Sequence, residues 1–243
     1  MPRRRLPVIT GILVLIALAI LISLGTWQVE RLHWKEGLLA DIAARQVAAP
    51  VPLADIEAMA ASGGDIEYRK VTATGRYINN KERHFFATWR GQTGFYVYTP
   101  LELADGRALL VNRGFVPYEN KEPEMRMQGQ LTDQQTVTGL AREKLPGKPS
   151  WVVPDNDIAK NIFYWKDLAA MRASGGLPPG ARVLPFFIDA GAEPANPGGL
   201  PQGGVTIIDL PNNHLQYALT WYGLAAALAA VMAAVLIGGR RPR

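Results

Sequence analysis

Three histidines, His33, His84 and His214, are the first residues to question about chemistry. Imidazole titrates near neutral pH and is the commonest metal ligand among side chains. Their spacing fits no zinc motif, and no H-E-x-x-H occurs. The chain has no cysteine. That excludes covalent haem attachment through C-x-x-C-H, a thiolate copper pair, thiol redox chemistry and disulfides. "PGGLPQGG" is glycine-rich but lacks the lysine and Ser/Thr of a phosphate loop, and reads as a surface loop. G-x-S-x-G is absent, and the carboxylates are scattered. No catalytic set emerges, so the chain does not read as an enzyme.

The three imidazoles differ in setting. His84, in "ERHFF", reads as an ordinary strand residue. His33 lies beside Trp34, just past an apolar run, and reads as interface decoration. His214 opens the last apolar segment, in "PNNHLQYALTWYG". On a helix, positions 214, 217, 218, 221 and 225 share a face, a stripe of His, Tyr, Ala, Trp and Ala. An aromatic wall with small gaps and one imidazole would suit haem, an apolar macrocycle whose iron takes a neutral imidazole. A helix N-terminus disfavours imidazolium and favours nearby anions such as propionates. Trp27, Gly25 and Gln28 stand at the same depth on the other apolar segment, with Arg31 and Lys35 just beyond to pair with propionates. The bland readings stay open: aromatic residues belong to interfacial belts in any membrane protein, and His214 beside Asn212 and Asn213 could cap the helix.

These residues depend on two long elements. Residues 6–29 and 210–239 contain no charged side chain, counting His as neutral. A spanning helix needs about 20 apolar residues, so both stretches are long enough. The first is longer than a signal peptide's apolar core and leaves through "GTWQVERLHWKE", a poor cleavage region, so an uncleaved anchor is expected. The net charge of +5 sits in the tails. Removing Arg3, Arg4, Arg5, Arg240, Arg241 and Arg243 from 26 basic residues leaves 20 against 21 acidic ones, a net of −1. Basic tails mark the cytoplasmic side, and the basicity gives no support for a nucleic-acid partner. The expected plan is a basic cytoplasmic tail (1–6), a first transmembrane helix (7–29), an extracytoplasmic domain (30–212), a second transmembrane helix (213–238) and a second basic tail (239–243). With five residues before the apolar run and no transit peptide, a bacterial inner membrane with a periplasmic domain is expected.

Helical spacing of Trp27, Arg31, Trp34 and Leu38, without proline, predicts that the first helix continues to about residue 46. "LADIEAMAASGG" and "WKDLAAMRASGG" read as short helices stopped by glycine. "EYRKVTATGRYI", "RHFFATWR", "GFYVYTPLEL", "RALLVNRGFVP", "QTVTGLARE", "LPFFIDA" and "GVTIIDL" read as strands separated by short turns. One α+β domain with a mainly antiparallel sheet, curled toward a barrel, follows.

"LGTWQVERLHWK", "EYRKV", "GFYVYTPL", "LVNRGFVP", "FFIDA" and "NNHLQYALTWYGLA" occur in that order. Together they resemble the Surfeit-locus-one (Shy-type) family of haem–copper oxidase assembly factors, across residues 24–225. The resemblance implies a role in building cytochrome c oxidase. It implies binding of haem a, with the histidine of the second-span motif, His214 here, as the axial ligand to iron. Expected partners are the oxidase catalytic subunit, haem a synthase and the lipid bilayer. Trp27, Tyr217 and Trp221 match motif positions and would line the pocket beside Arg31. Arg113, in "NRGF", would either meet propionates or hold the domain together. A haem-free scaffold that grips an assembly intermediate is the alternative.

Overall fold

The structure is a computed structural model and describes residues 8–177, 181–208 and 210–238. Both basic tails, and residue 7 at the start of the first expected span, lie outside the described residues. The chain divides into two compact units, with the boundaries at Ala43/Ala44 and Ile207/Ile208. The first fourteen residues of the expected domain (30–43) therefore fall in the helical unit.

The helical unit is formed by α1 (Val8–Val47) and α4 (His214–Gly238). Both are long and apolar enough to cross a membrane. At 1.5 Å per residue, the 40 residues of α1 reach about 60 Å, twice a hydrocarbon core. Its second half carries Glu30, Arg31, Lys35, Glu36 and Asp41 and could not lie in lipid. Pro50 follows its end, because proline cannot continue a helix. Small residues are among the buried positions of the two helices: Gly25 on α1, and Ala218 and Ala225 on α4. Two apolar helices gain little hydrophobic energy from meeting in lipid, so side-chain packing and hydrogen bonds must supply the contact.

The second unit is an eight-stranded sheet with short helices. Its strands are β1 (Val51–Pro52), β2 (Lys70–Tyr77), β3 (Arg83–Trp89), β4 (Gln92–Leu103), β5 (Ala108–Pro117), β6 (Gln135–Glu143), β7 (Ile162–Phe163) and β8 (Val183–Ala190). The order is β1-β2-β6-β8-β5-β4-β3-β7, and an extra β2–β4 pairing closes a ring of β2, β6, β8, β5 and β4. All ring pairings are antiparallel except β5–β8. Closure works because β4 is long: Leu101–Leu103 pair with β2, while its first half pairs with β3. The curled, mainly antiparallel sheet is thus as expected.

Successive residues of β5 and β8 serve two cores, which explains their unbroken apolar runs. Leu109, Val111, Phe186 and Ile188 pack in the larger cluster with Ile56 of α2 (Leu53–Ala61). Leu110 and Phe187 pack in the smaller one with Tyr98, Phe163 and Met171 of α3 (Leu168–Ser174).

One expected strand is corrected. "GVTIIDL" forms no ladder over 204–208, and Asp209 lies outside the described residues. The neighbouring edges are already occupied, since β8 is bonded to both β5 and β6. The segment is held by other means: Gly204 N donates to the Ala190 carbonyl at 3.0 Å, and Thr206 Oγ1 donates to Asp189 Oδ2 at 2.9 Å.

Candidate cofactor site on the helix pair

His214 is the first residue of α4, after Pro211, Asn212 and Asn213. Its Nδ1–H donates to Oε1 of Gln28 on α1 at 2.6 Å. Gln28 is buried in the helix pair. An amide oxygen cannot donate, so the proton must sit on Nδ1. In the neutral ring the lone pair then falls on the other nitrogen, Nε2, and no hydrogen bond engages that atom among the described residues. Fixing the tautomer through one nitrogen while the other faces a metal is the usual way a protein prepares an imidazole ligand. Among the described residues, no three His, Asp or Glu side chains converge on a metal-sized site. A neutral imidazole is a donor that haem iron accepts, so the residue type fits that group.

The other expected residues are placed as follows. Trp221 is half-buried beside the small-residue face. Tyr217 is 54 % exposed and Trp27 50 % exposed. On a helix, Tyr217 sits about 90° from the line through Ala218 and Ala225, so it turns away from α1. Both rings are open to lipid or to a flat ligand lying against the pair. Arg31 is exposed, and its guanidinium lies 4.4 Å from the Trp34 ring. It forms no ion pair among the described residues and is available to an anion.

Sequence reasoning missed Tyr222. Its ring packs on Gly25, where an added Cβ would stand 2.7 Å from Cε1. Its hydroxyl lies 3.1 Å from Thr26 Oγ1. A glycine in a spanning helix was the available signal, because such glycines mark helix contacts.

Arg113 lies in the other unit. It is 1 % exposed on β5, and its guanidinium is engaged by Asn79, Gly129 and Asn196. Those partners support the bracing role of the two offered to it. His84 likewise acts inside the domain. Its Nε2 lies 2.9 Å from Glu82 Oε1, and its Nδ1 lies 3.3 Å from Asn161 Nδ2. Arg126 holds the same Glu82 carboxylate through both Nη atoms. Burial pushes the Glu82 carboxyl up, but hydrogen bonds from His84 and Arg126 outweigh it and leave it below the usual range.

The chain matches the sequence model of the SURF1 family over residues 15–226. It is 37 % identical to Surfeit locus protein 1 of Takifugu rubripes over 222 residues, covering 84 % of this chain and 88 % of that one. Against Surfeit locus protein 1 of Homo sapiens the identity is 38 %, covering 84 % and 70 %. A SURF1-like protein of Drosophila melanogaster is 34 % identical, again covering 84 % and 70 %.

Proposed function

Because this chain belongs to the SURF1 family, we propose that it is an assembly factor for cytochrome c oxidase that binds haem a at His214 and hands it to the catalytic subunit. The observation that carries this reading is the Nδ1–Gln28 hydrogen bond, which in the neutral ring puts the lone pair on Nε2 at the start of α4. Haem a is cargo here, and what it brings to the site is an iron centre already held by four porphyrin nitrogens. The chain's own part is to supply one axial ligand and an aromatic surface, Trp27, Tyr217 and Trp221. Arg31 and Lys35 stand beyond the apolar part of α1 to meet propionates. A single axial ligand from the carrier leaves the opposite face open to the acceptor, which favours transfer over retention. Haem a synthase is the matching donor. The setting we propose is a bacterial inner membrane, with Ala44–Ile207 on the periplasmic side.

Co-expression with the enzymes of haem a synthesis, followed by purification in detergent, tests the proposal. About one haem a per chain, and an altered visible spectrum for His214→Ala, is expected. Recovery of oxidase subunits without haem from the parent protein would instead identify a scaffold and overturn the carrier reading.

A further inference from the structure

Between β6 and β7 the chain runs through a long loop, and residues 144–155 are exposed except Ser150 and Val153. The tip of this loop is braced. Val153 N donates to the Ser150 carbonyl at 3.2 Å, which closes a turn with Trp151 and Val152 at its centre. Pro149 and Pro154 flank the turn, and each fixes its own φ. Lys148 Nζ donates to Asp155 Oδ1 at 2.6 Å and ties the two arms together. The central pair is out of keeping with a water-facing turn, where Gly, Pro, Asn, Asp and Ser prevail. Trp151 is 91 % exposed and Val152 65 % exposed, and neither joins an apolar cluster of the sheet unit. They add nothing to the core, yet the loop is stiffened to present them. A stiff loop that offers large apolar groups to solvent marks a contact surface.

The loop springs from the part of the sheet unit to which both long helices are tied. The end of α1 is fastened by Arg45, which donates to Asp65 Oδ2 at 2.7 Å and to the Glu67 carbonyl at 2.9 Å. The chain leaving for α4 is fastened by Thr206, through Asp189 Oδ2. Arg142 joins these two anchorages. Its Nε donates to Glu67 Oε1 at 2.7 Å and its Nη1 to Asp189 Oδ2 at 2.8 Å. Glu143, the next residue, ends β6 and opens the loop. Residues 208–213 are all that separate Ile207 from α4, and they span at most about 24 Å when extended. A bilayer crossed by α4 is therefore never far from the root of the loop. Tryptophan is enriched where membrane meets water. Exposed Lys144, on the stem, forms no ion pair among the described residues and is free for anionic headgroups. We propose that Trp151 and Val152 dock in the interfacial layer of the bilayer, as a third membrane attachment besides α1 and α4 that fixes the tilt of the sheet unit. The proposal rests on reading α1 and α4 as membrane spans.

The chain has no cysteine, so single substitutions can each carry one environment-sensitive fluorophore. The full chain bearing Val152→Cys, labelled with a nitrobenzoxadiazole group, is placed in nanodiscs of phosphatidylcholine and phosphatidylglycerol. A blue-shifted emission and several-fold quenching by lipid carrying a nitroxide near its headgroup are expected. Asp133→Cys, beyond the opposite end of β6, should stay unquenched. Ile16→Cys, in the apolar part of α1, should be quenched by nitroxide deep in the acyl chains. Trp151→Ser alters an exposed side chain, and in the Val152→Cys background it should remove most of the quenching. Quenching at Ile16→Cys with none at Val152→Cys would overturn the proposal and leave the spans standing. Absence of quenching at both would overturn the two together. A Val152→Cys label shielded from aqueous iodide yet untouched by lipid nitroxide would mark a protein contact and overturn lipid docking. Equal quenching with and without Trp151 would also overturn it, because the label alone would then be entering the lipid.

Discussion

Gln28 and Glu82 are the residues whose polar atoms carry the most consequence. Gln28→Leu keeps the bulk but removes the acceptor that fixes the His214 tautomer. Loss of such a supporting partner typically costs 10–100-fold in metal affinity. Haem a retention should fall by that order, measured as haem per chain after dialysis against a haem scavenger, while oxidase-independent expression stays unchanged. Glu82 is buried with Arg126, and removing one partner of a buried pair costs about 3–5 kcal/mol. Glu82→Gln should therefore lower Tm strongly, by calorimetry of the full chain. The sign with pH follows from the lowered carboxyl. A depressed folded-state pKa contributes stability that is full above the unfolded value of about 4.3 and is lost as pH falls through the folded one. Tm should hold from pH 7 to about pH 5 and drop below about pH 4, and Glu82→Gln should flatten that acid limb.

At the element scale, the helix pair depends on Gly25 against Tyr222. Gly25→Ala should destabilise the pair, and Tyr222→Ala should relieve part of the loss. A double-mutant cycle on unfolding in detergent should give a coupling of about 0.5–3 kcal/mol, whereas strict additivity would remove Tyr222 from the contact. In β5, Gly114 has φ +126°, and an added Cβ would meet the Gln202 carbonyl and lie 2.7 Å from Gly203 N. Gly114→Ala should cost about 2–4 kcal/mol, read as a lower Tm of the sheet domain. Most elements were legible because each obeys one period. "QTVTGLARE" alternates along its length and is strand β6 throughout. "GVTIIDL" is rich in β-branched residues but finds no free edge, which depends on how distant strands pair. The two-residue strands β1 and β7 are too short to carry a period at all.

For the whole molecule, hydropathy and charge sufficed to place a polar domain between two apolar helices, because burial in lipid and exposure to water demand different compositions. Closure of the barrel was legible only as a tendency, since the β2–β4 pairing joins segments whose register no local pattern encodes. The site divides the same way. His214 stood out by residue type and position, while Gln28 became its partner only once α1 and α4 were seen together. Binding of haem iron by Nε2 of His214 is the step on which the proposed function rests. His214→Gly, purified from cells making haem a and titrated with free imidazole, tests it most directly. Loss of the parent's visible spectrum, with recovery as imidazole fills the vacated space, is the expected result. A His214→Gly protein that carries haem a with the parent's spectrum and occupancy, without imidazole, would contradict it.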